Sequence, residues 1–495
     1  MSKSLPSTPT LMAALLGCSA IFAGTPLMAQ TRVVAALERE PDSLNPIYDT
    51  GLAALNVFYN IFDQLTTIDA TGAVVPRLAE SWTANETLDE WTFSLRDGAT
   101  FHDGTPVTAA DVVFTFETAM NDDTARLGGY LTTIESIAAP DDHTVVFTLN
   151  QAFAPFDRQV TLAPIVSSAA YEAMGAEAFA RNPVGSGPYD FVEWRGSDAI
   201  ELARYDGYWG DKGTFDTVVF QPVPDETTRA NSVQSGDVDI ALLGASSVPG
   251  VEAGGMVDVV SQQSNRILYL GFNSNHPVLG DPEVREAIDM SIDRATLSQR
   301  LMNGAVEPTA QLVAPVSFGY DPDLPAQAYD LDGAKAALEA AGYDGSPVPL
   351  TYPSSGLPQI DQVAQVVGYF LGEAGLNVEL QQTEMSTYSG AWFSGQLEGL
   401  YIYAFAPTIM DADLPFSMLL RTGGQGYTFD PQIDSLLAEQ VGEPDAAARA
   451  ALLGEISAIV DDQTIYAPLF TDTYTYGVTK GLEWTPRPDG LMTFY

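Results

Sequence analysis

The sequence is poor in the residues that most often carry metal or redox chemistry. Its 495 residues include one cysteine, Cys18, and three histidines, His102, His143 and His276, which lie far apart and share no metal-ligand spacing. If Cys18 is removed with an N-terminal signal, the mature chain has no cysteine, which excludes disulfides and thiol catalysis. We therefore expect no metal site and no cofactor.

Positive charge is also scarce. The chain has 21 Lys and Arg against 65 Asp and Glu, a formal net charge of −44 and a sequence pI of about 4.1. This balance excludes nucleic acid as a partner, because phosphates are bound by Lys and Arg, and it disfavours anionic membrane surfaces. Two explanations of the large negative charge stay open: a surface adapted to salty water, and a role in attracting cations.

Long hydrophobic runs are missing beyond the N-terminus. Lys3 precedes an apolar run over residues 11–24, and Ala29 offers a small residue for cleavage. This pattern is typical of a secretory signal peptide over residues 1–29, too short for a membrane span. We expect a soluble mature protein in the periplasm. The alternative is acylation of Cys18, which ends the stretch LLGC.

The common sequence signatures of enzymes are absent too. There is no G-x-S-x-G elbow, no Gly-rich phosphate loop ending in Lys-Ser/Thr, and no H-E-x-x-H. Asp411 and Asp413 form a close acidic pair of the kind that glycosidases use, so a secreted hydrolase acting on sugars or peptides stays as the alternative. Together with the export signal, the missing motifs favour binding without catalysis.

What the sequence does have is a globular composition, with 46% hydrophobic and 10% aromatic residues. A strand is predicted near residues 31–39, and a helix over residues 107–122 with Thr108 as its cap. Asp281 should cap a long helix that Gly304 ends. From residue 330 onward helices and strands alternate, so the chain should form a compact α/β protein of two or three domains.

Several stretches occur in a telling order: EPDSLNPIYD, NVFYNIFDQLTTIDATGAVVPRLAESW, WTFSLRDGATFHDGTPVTAADVVFTFE, NPVGSGPYDFVEW, PDETTRANSVQSGDVDIA and LGFNSNHPVLGDPEVREAIDMSIDR. In this order and spacing they resemble the extracellular solute-binding proteins of ABC importers, the peptide/nickel-type family (solute-binding family 5). The resemblance runs from about residue 32 to the end of the chain.

The resemblance implies a two-lobed periplasmic binding protein fold whose lobes are joined by crossing hinge strands, with an extra third domain. Lobe I would comprise residues 30–58, 182–264 and 472–495, and lobe II residues 265–471. The extra domain on lobe I would be residues 59–181. A solute would be enclosed between the lobes as they close.

The resemblance also places site residues. Phe405 stands at the cleft as a pocket wall, within the aromatic stretch YIYAFAPTIMDADLPF at residues 401–416. Peptide-binding relatives carry an acid three positions after this aromatic residue to bind the peptide amine, whereas this chain has Thr408 there. Because a hydroxyl cannot replace that charge, a standard peptide ligand is disfavoured. Further candidates, each with ordinary packing as the alternative, are Asn45, Tyr48, Tyr388, Trp392, Tyr403, Gln425, Tyr427, Asp472 and Tyr474; Arg266 and Arg421 could hold a carboxylate.

The function implied is capture of a small organic solute and its delivery to the permease subunits of an ABC importer, by a monomer that is not an enzyme. The solute could be a modified peptide, an opine-like compound or an oligosaccharide. Binding of a nickel complex is a more specific form of the same hypothesis. A ligand-sensing subunit that docks on a receptor is a third possibility, which no sequence feature supports.

Overall fold

The computed structural model of the protein describes Met1 and residues 31–357 and 359–495. The predicted signal peptide, its cleavage near Ala29 and the acylation of Cys18 lie outside these residues. Within them, 17 strands are found in chain order. They are β1 (Arg32–Leu37), β2 (Thr66–Ile68), β3 (Val74–Pro76), β4 (Ala79–Ala84), β5 (Glu90–Leu95), β6 (Ile134–Asp141), β7 (Thr144–Leu149), β8 (Tyr189–Trp194), β9 (Ile200–Arg204), β10 (Thr217–Pro222), β11 (Ile240–Leu242), β12 (Val257–Phe272), β13 (Glu307–Pro308), β14 (Val348–Pro353), β15 (Val378–Thr383), β16 (Leu400–Phe405) and β17 (Tyr466–Thr479).

The helices of the described residues alternate with these strands over most of the chain. They are α1 (Leu52–Ile61), α2 (Ala109–Asn121), α3 (Phe156–Gln159), α4 (Ser168–Met174), α5 (Ala176–Phe179), α6 (Glu226–Ser235), α7 (Val248–Gly254), α8 (Pro282–Met290), α9 (Arg294–Thr296), α10 (Leu331–Ala340), α11 (Ile360–Ala374), α12 (Met385–Phe393), α13 (Asp413–Leu419), α14 (Pro431–Gln440) and α15 (Ala446–Asp462). Short 3₁₀ turns cover Leu127–Tyr130 and Val160–Leu162, and a π-helical turn covers Leu297–Leu301.

One long mixed sheet runs through both lobes, with the strand order β15-β14-β16-β12-β17-β11-β1-β10-β9-β8 and β13 paired to β17. The strands β14, β15 and β16 belong to the predicted lobe II, and β1 and β8 to β11 belong to the predicted lobe I. Among these strands, only β12 and β17 are long enough to run from one lobe into the other. The two-lobed α/β fold with crossing strands is therefore confirmed.

The crossing strands change register where one lobe meets the other. Residues 257–263 of β12 pair with the C-terminal half of β17, and residues 267–271 pair with its N-terminal half. Between Gln263 and Ile267 the ladder is interrupted. An interruption of this kind bends the strand and turns side chains away from the regular alternation. The interrupted residues Ser264, Asn265 and Arg266 therefore lie at the junction between the lobes.

A separate antiparallel sheet, β4-β5-β7-β6, lies within the predicted extra domain. Helix α2 packs on it, and its start follows from the sequence: the Thr108 and Asp111 side chains form a capping box with each other's backbone N–H groups. Buried apolar residues of this sheet and of β1, β10 and α1 belong to one continuous hydrophobic core. The extra domain is therefore packed firmly on lobe I.

A buried polar cluster strengthens the same junction. The Asp63 carboxylate accepts hydrogen bonds from Arg77 Nε at 2.6 Å, from Tyr208 at 3.0 Å and from the Trp209 indole at 2.9 Å. Nearby, Gly187 lies in the corner VGSGPY that leads into β8, and a side chain there would meet the backbone of residues 60 and 61 at 2.7–2.8 Å. Close backbone approach explains why this corner needs glycine.

The predicted long helix over residues 281–304 is wrong. Asp281 does cap α8, with Pro282 at its first position, but the helix ends at Met290. Asp293 then starts a new turn, because its side chain accepts hydrogen bonds from the Thr296 backbone N–H and hydroxyl. An aspartate that can cap a new helix competes with continuation of the old one.

Candidate ligand-binding cleft

A cavity of about 220 Å³ lies where the lobes, the extra domain and the crossing strands meet. Its walls come from residues that are distant in sequence, with lobe I and the extra domain on one side and the loop after β16 on the other. The lining residues are Thr50, Leu52, Leu55, Tyr59, Ile68, Thr161, Leu162, Asn265, Arg266, Ala406, Thr408, Tyr474, Arg487, Asp489 and Leu491. We call it the central cavity.

Two further cavities adjoin the central cavity. One, of about 100 Å³, lies in lobe I and includes Glu38, Arg39 and Asn56 in its wall. The other, of about 300 Å³, is lined by residues of both predicted lobes, among them Pro224 and Leu357. Tyr474 lines all three. The three cavities thus form one cleft around the Tyr474 ring, and burial raises the pKa of its hydroxyl, so Tyr474 stays neutral.

The charges in the central cavity come in compensated pairs. Arg266 Nε donates to Asp472 Oδ2 at 2.8 Å, and its Nη2 donates to the same oxygen. Burial lowers the pKa of Arg266, but the Asp472 carboxylate outweighs burial and raises it overall. Arg487 Nε donates to Asp489 Oδ1 at 3.0 Å, and its Nη2 also donates to the Ile68 carbonyl at 2.6 Å. Each guanidinium in this wall therefore has a carboxylate partner.

Asn265 occupies the strand interruption with unusual bonding. The residue is 2% exposed. Its backbone N–H donates to the Pro488 carbonyl at 3.0 Å, and its Nδ2 donates to the Pro407 carbonyl at 2.9 Å. Its Oδ1 is buried and has no hydrogen-bond partner among the described residues. A buried acceptor without a partner is uncommon in proteins and calls for an explanation.

The aromatic stretch over residues 401–416 begins as strand β16, and its side chains alternate between the two faces of the sheet. Leu400 and Ile402 join the core on one face, whereas Tyr401 lies in the core on the other, with the half-buried rings of Tyr403 and Phe405 packed against it. Phe405 does not line the central cavity in this conformation. Its predicted role as a pocket wall stays a prediction.

Two other predicted site residues lie in the core behind that strand. Tyr388 and Trp392 are 0% and 2% exposed, and their rings lie 5.5 Å and 4.8 Å from the Tyr403 ring. The Tyr388 hydroxyl donates to the Ile402 carbonyl at 2.7 Å. Both residues are therefore packed in the core in this conformation, which was the alternative to a role in the site.

The remaining predicted contacts are scattered over the cleft's surroundings. Asn45 is buried and bonds to the Tyr171 hydroxyl at 3.4 Å, and the Tyr48 hydroxyl donates to Asp122 at 2.7 Å. The Tyr427 hydroxyl accepts from the Leu397 backbone N–H at 2.7 Å, and the Gln425 backbone N–H donates to the Met418 carbonyl at 2.8 Å. None of these four side chains lines the central cavity.

Among the predicted site residues, Thr408, Tyr474 and the candidate carboxylate holder Arg266 line the central cavity, and Asp472 is the ion-pair partner of Arg266. Asn265, Arg487 and Asp489 were not predicted. A signal for Asn265 was the polar run over residues 261–266, which directly precedes the apolar second part of β12. No such signal marks Arg487 and Asp489, which follow a short loop near the C-terminus. Arg421, the other predicted carboxylate holder, is exposed and donates to Ser417 at 3.0 Å.

The acidic pair considered for a hydrolase is buried away from this cavity. Both Asp411 oxygens accept hydrogen bonds from the Arg449 guanidinium, at 2.8 Å and 2.6 Å. Asp413 is bonded to Gln440 and Ser417, and burial followed by the charge of Asp411 raises its pKa. Carboxylates with these partners support folding, and the hydrolase alternative gains no support.

The extra domain also touches lobe II across the cleft. Arg158 Nη1, from α3, donates to the carbonyls of Ile409 and Met410 at 3.2 Å each, and its Nε lies 3.6 Å from Asp411. The Ala154 backbone N–H donates to the Val441 carbonyl at 2.7 Å. The lobes therefore meet directly in this conformation, and the central cavity lies between them.

Comparisons with known proteins agree with this geometry. Residues 73–427 match the family described as bacterial extracellular solute-binding proteins, family 5 Middle. The chain is 27% identical over 501 residues to the probable D,D-dipeptide-binding periplasmic protein DdpA of Escherichia coli strain K12, covering 97% of this chain and 96% of that protein.

Solved structures share the whole fold. HbpA2 from Haemophilus parasuis superposes with a TM-score of 0.84 at 22% identity, covering 94% of this chain and 99% of that one. The PBP AgaA from A. tumefacien R10, solved in complex with agropinic acid, has a TM-score of 0.75 at 26% identity and covers 93% and 96%. No helix among the described residues is long and apolar enough to cross a bilayer. Since the family match spans more than half of the sequence, the chain belongs to the bacterial extracellular solute-binding proteins of family 5.

Proposed function

We propose that this protein is the solute-binding subunit of an ABC importer, which encloses a small organic solute between its lobes and presents it, chemically unaltered, to the permease. One observation carries the proposal: the central cavity is lined by residues of both lobes and lies at the interruption of the two strands that join them. A solute that contacts both lobes stabilises the closed form, because closing is favoured only by ligands that bind that form better.

The relatives support this class of function and leave the solute open. One is named for probable D,D-dipeptide binding, and another was solved with agropinic acid. We propose a peptide-like or opine-like compound, or a short oligosaccharide, as the solute. We further propose that the protein acts as a monomer in the periplasm after removal of residues 1–29, and that its domains follow the boundaries predicted from the sequence.

The test begins with protein purified from its own cells and examined by native mass spectrometry for a bound small molecule. After the solute is removed and added back, solution scattering should show a smaller radius of gyration with the solute than without it. The recovered solute should have its original mass. A scattering curve that no solute changes, or a solute returned chemically altered, would refute the proposal.

A pair of variants tests the location of the site. Thr408→Trp places a large ring in the wall of the central cavity, and we expect at least about tenfold weaker binding of the co-purified solute. Thr227→Trp makes the same change on the exposed surface of α6, and it should bind as the unmodified protein does. Equal binding by both variants would show that the solute does not occupy the central cavity.

A further inference from the structure

The buried side chain of Asn265 limits the chemistry of a solute in the central cavity. Its amide orientation is fixed by its surroundings, because Nδ2 donates to the Pro407 carbonyl at 2.9 Å. With the amide flipped, two oxygens would face each other at that distance. The atom left for a solute is therefore Oδ1, which has no partner among the described residues. It can only accept a hydrogen bond.

Both carboxylates beside the central cavity are already paired with a guanidinium, with which an ammonium group would have to compete. Asp489 Oδ1 accepts from Arg487 Nε at 3.0 Å and from the Leu491 backbone N–H at 3.0 Å, and Oδ2 accepts from Arg487 Nε and Nη2. Asp472 Oδ2 accepts both Arg266 nitrogens, and its Oδ1 accepts the Thr473 backbone N–H at 2.8 Å. A buried ammonium here would lack an anionic partner of its own, which is unfavourable.

Hydrogen-bond acceptors of a solute, in contrast to an ammonium group, have donors available in the same wall. The Nη1 of Arg266 makes no hydrogen bond within residues 31–357 and 359–495, although Nε and Nη2 are used on Asp472. The Thr408 hydroxyl is exposed to the cavity and can donate or accept. The volume of about 220 Å³ corresponds to roughly seven water molecules, which suits a solute with on the order of ten non-hydrogen atoms.

We infer that the solute is a compact molecule that presents a neutral N–H or O–H donor to Asn265, as an amide or a hydroxyl group does, in place of a free ammonium group. Its carbonyl or carboxylate oxygens face Arg266 and Thr408. The inference rests on the proposed function and names the solute class of the same site. The negative net charge of the whole protein attracts cations at long range, but the partners within the cavity decide which group is bound.

Glu38 is the group that competes with this inference. It lines the two adjoining cavities, its side chain is 55% exposed, and its nearest cationic partner, Arg229 Nη2, is 3.7 Å away. A solute long enough to extend from the central cavity could place an ammonium group beside Glu38. Glu38→Gln therefore belongs in the test.

Two matched compounds provide the probes, alanyl-alanine and lactoyl-alanine, each as the L,L and the D,D isomer. They differ only in the ammonium group of one and the hydroxyl group of the other. Calorimetric titration should show at least about tenfold tighter binding of lactoyl-alanine for one isomer, which corresponds to about 1.4 kcal/mol. Asn265→Leu should reduce this ratio toward one, and Thr408→Asp, which adds an unpaired carboxylate to the wall, should reverse it. Melting temperatures of both variants check that they fold.

A preference for alanyl-alanine that Glu38→Gln abolishes would overturn the inference, and so would binding of neither compound. A co-purified solute that reacts with an amine-specific reagent would also contradict it. These failures are distinct from a failure of the proposed function, since closure around the co-purified solute in scattering would still establish capture between the lobes.

Discussion

Replacing Arg158 with methionine should weaken solute binding although Arg158 does not line the central cavity. This side chain of the extra domain is 11% exposed and donates to two carbonyls of lobe II, those of Ile409 and Met410. In an open form these bonds across the cleft cannot persist, because their two partners belong to the separating parts. Arg158→Met should therefore shift the equilibrium from the closed form toward the open form.

The size of the shift follows from the bonds that cross the cleft. Both carbonyls share the single nitrogen Nη1, so they count as one three-centre bond from a charged donor, worth about 1.5–3 kcal/mol. Asp411 loses only a contact at 3.6 Å and keeps its two bonds to Arg449, so no uncompensated buried charge remains. Methionine also avoids the cost of burying a guanidinium, which favours the lower end. The closed-to-open ratio should fall by about 10-fold to 100-fold.

Calorimetric titration with the co-purified solute and scattering without it would measure this effect. The dissociation constant should rise by the factor by which the closed population falls. Arg126→Met is the matched control, because that side chain is 53% exposed and its partners, Asp42 at 3.1 Å and the buried Asp49 at 3.7 Å, do not lie across the cleft in lobe II. Such pairs contribute about 0–1 kcal/mol, so binding should change little. An unchanged dissociation constant and scattering curve for Arg158→Met would refute the role of this contact in closure.

Three further variants test separate parts of the structure. In Asp413→Asn the effect depends on pH: burial and the charge of Asp411 raise the pKa of Asp413, so the stability it contributes is present below the unfolded pKa of about 3.9 and is lost as the pH rises. The variant should therefore melt higher than the unmodified protein at pH 7 but not at pH 3; the same difference at both would contradict this. Gly187→Ala places a methyl group 2.7–2.8 Å from backbone atoms of residues 60 and 61 and should cost about 1–3 kcal/mol of unfolding free energy in chemical denaturation, whereas no loss would mean that the corner can shift. Phe405→Ala should lower solute affinity with a small loss of stability if its half-buried ring reaches the cleft, and unchanged affinity with a lower melting temperature would assign the ring to packing.

Local sequence signals predicted the elements whose determinants are close in the chain. The helix at residues 107–122 was predicted from Thr108, and its cap is formed by Thr108 and Asp111, three residues apart. Glycine commonly ends a helix, and Gly236 ends α6 with a left-handed backbone. The break after Met290 was not predicted, although Asp293 follows it and an aspartate caps a new helix well.

The site itself could be predicted only in part, because its partners are distant in the sequence. The pair of Arg266 and Asp472 joins residues 206 positions apart, and Arg158 reaches carbonyls more than 250 positions away. The family resemblance pointed to Thr408 and Tyr474, which line the central cavity. It also assigned Tyr388 and Trp392 to the cleft, whereas both lie in the core. Their large rings are suited to either environment. Residue type alone cannot separate these two outcomes.

The strand interruption connects recognition with closure through Asn265. Its backbone N–H is held by the Pro488 carbonyl of lobe I, and its Nδ2 is held by the Pro407 carbonyl of lobe II. Since its two anchors belong to different lobes, the position of its Oδ1 depends on how the lobes are arranged. Pro407 precedes Thr408, and Pro488 precedes Asp489, so the same two bonds bring both walls of the central cavity toward Asn265. A solute donor that binds Oδ1 therefore favours the arrangement in which both walls surround it, and it does so through residues that no enzyme or metal motif would have marked.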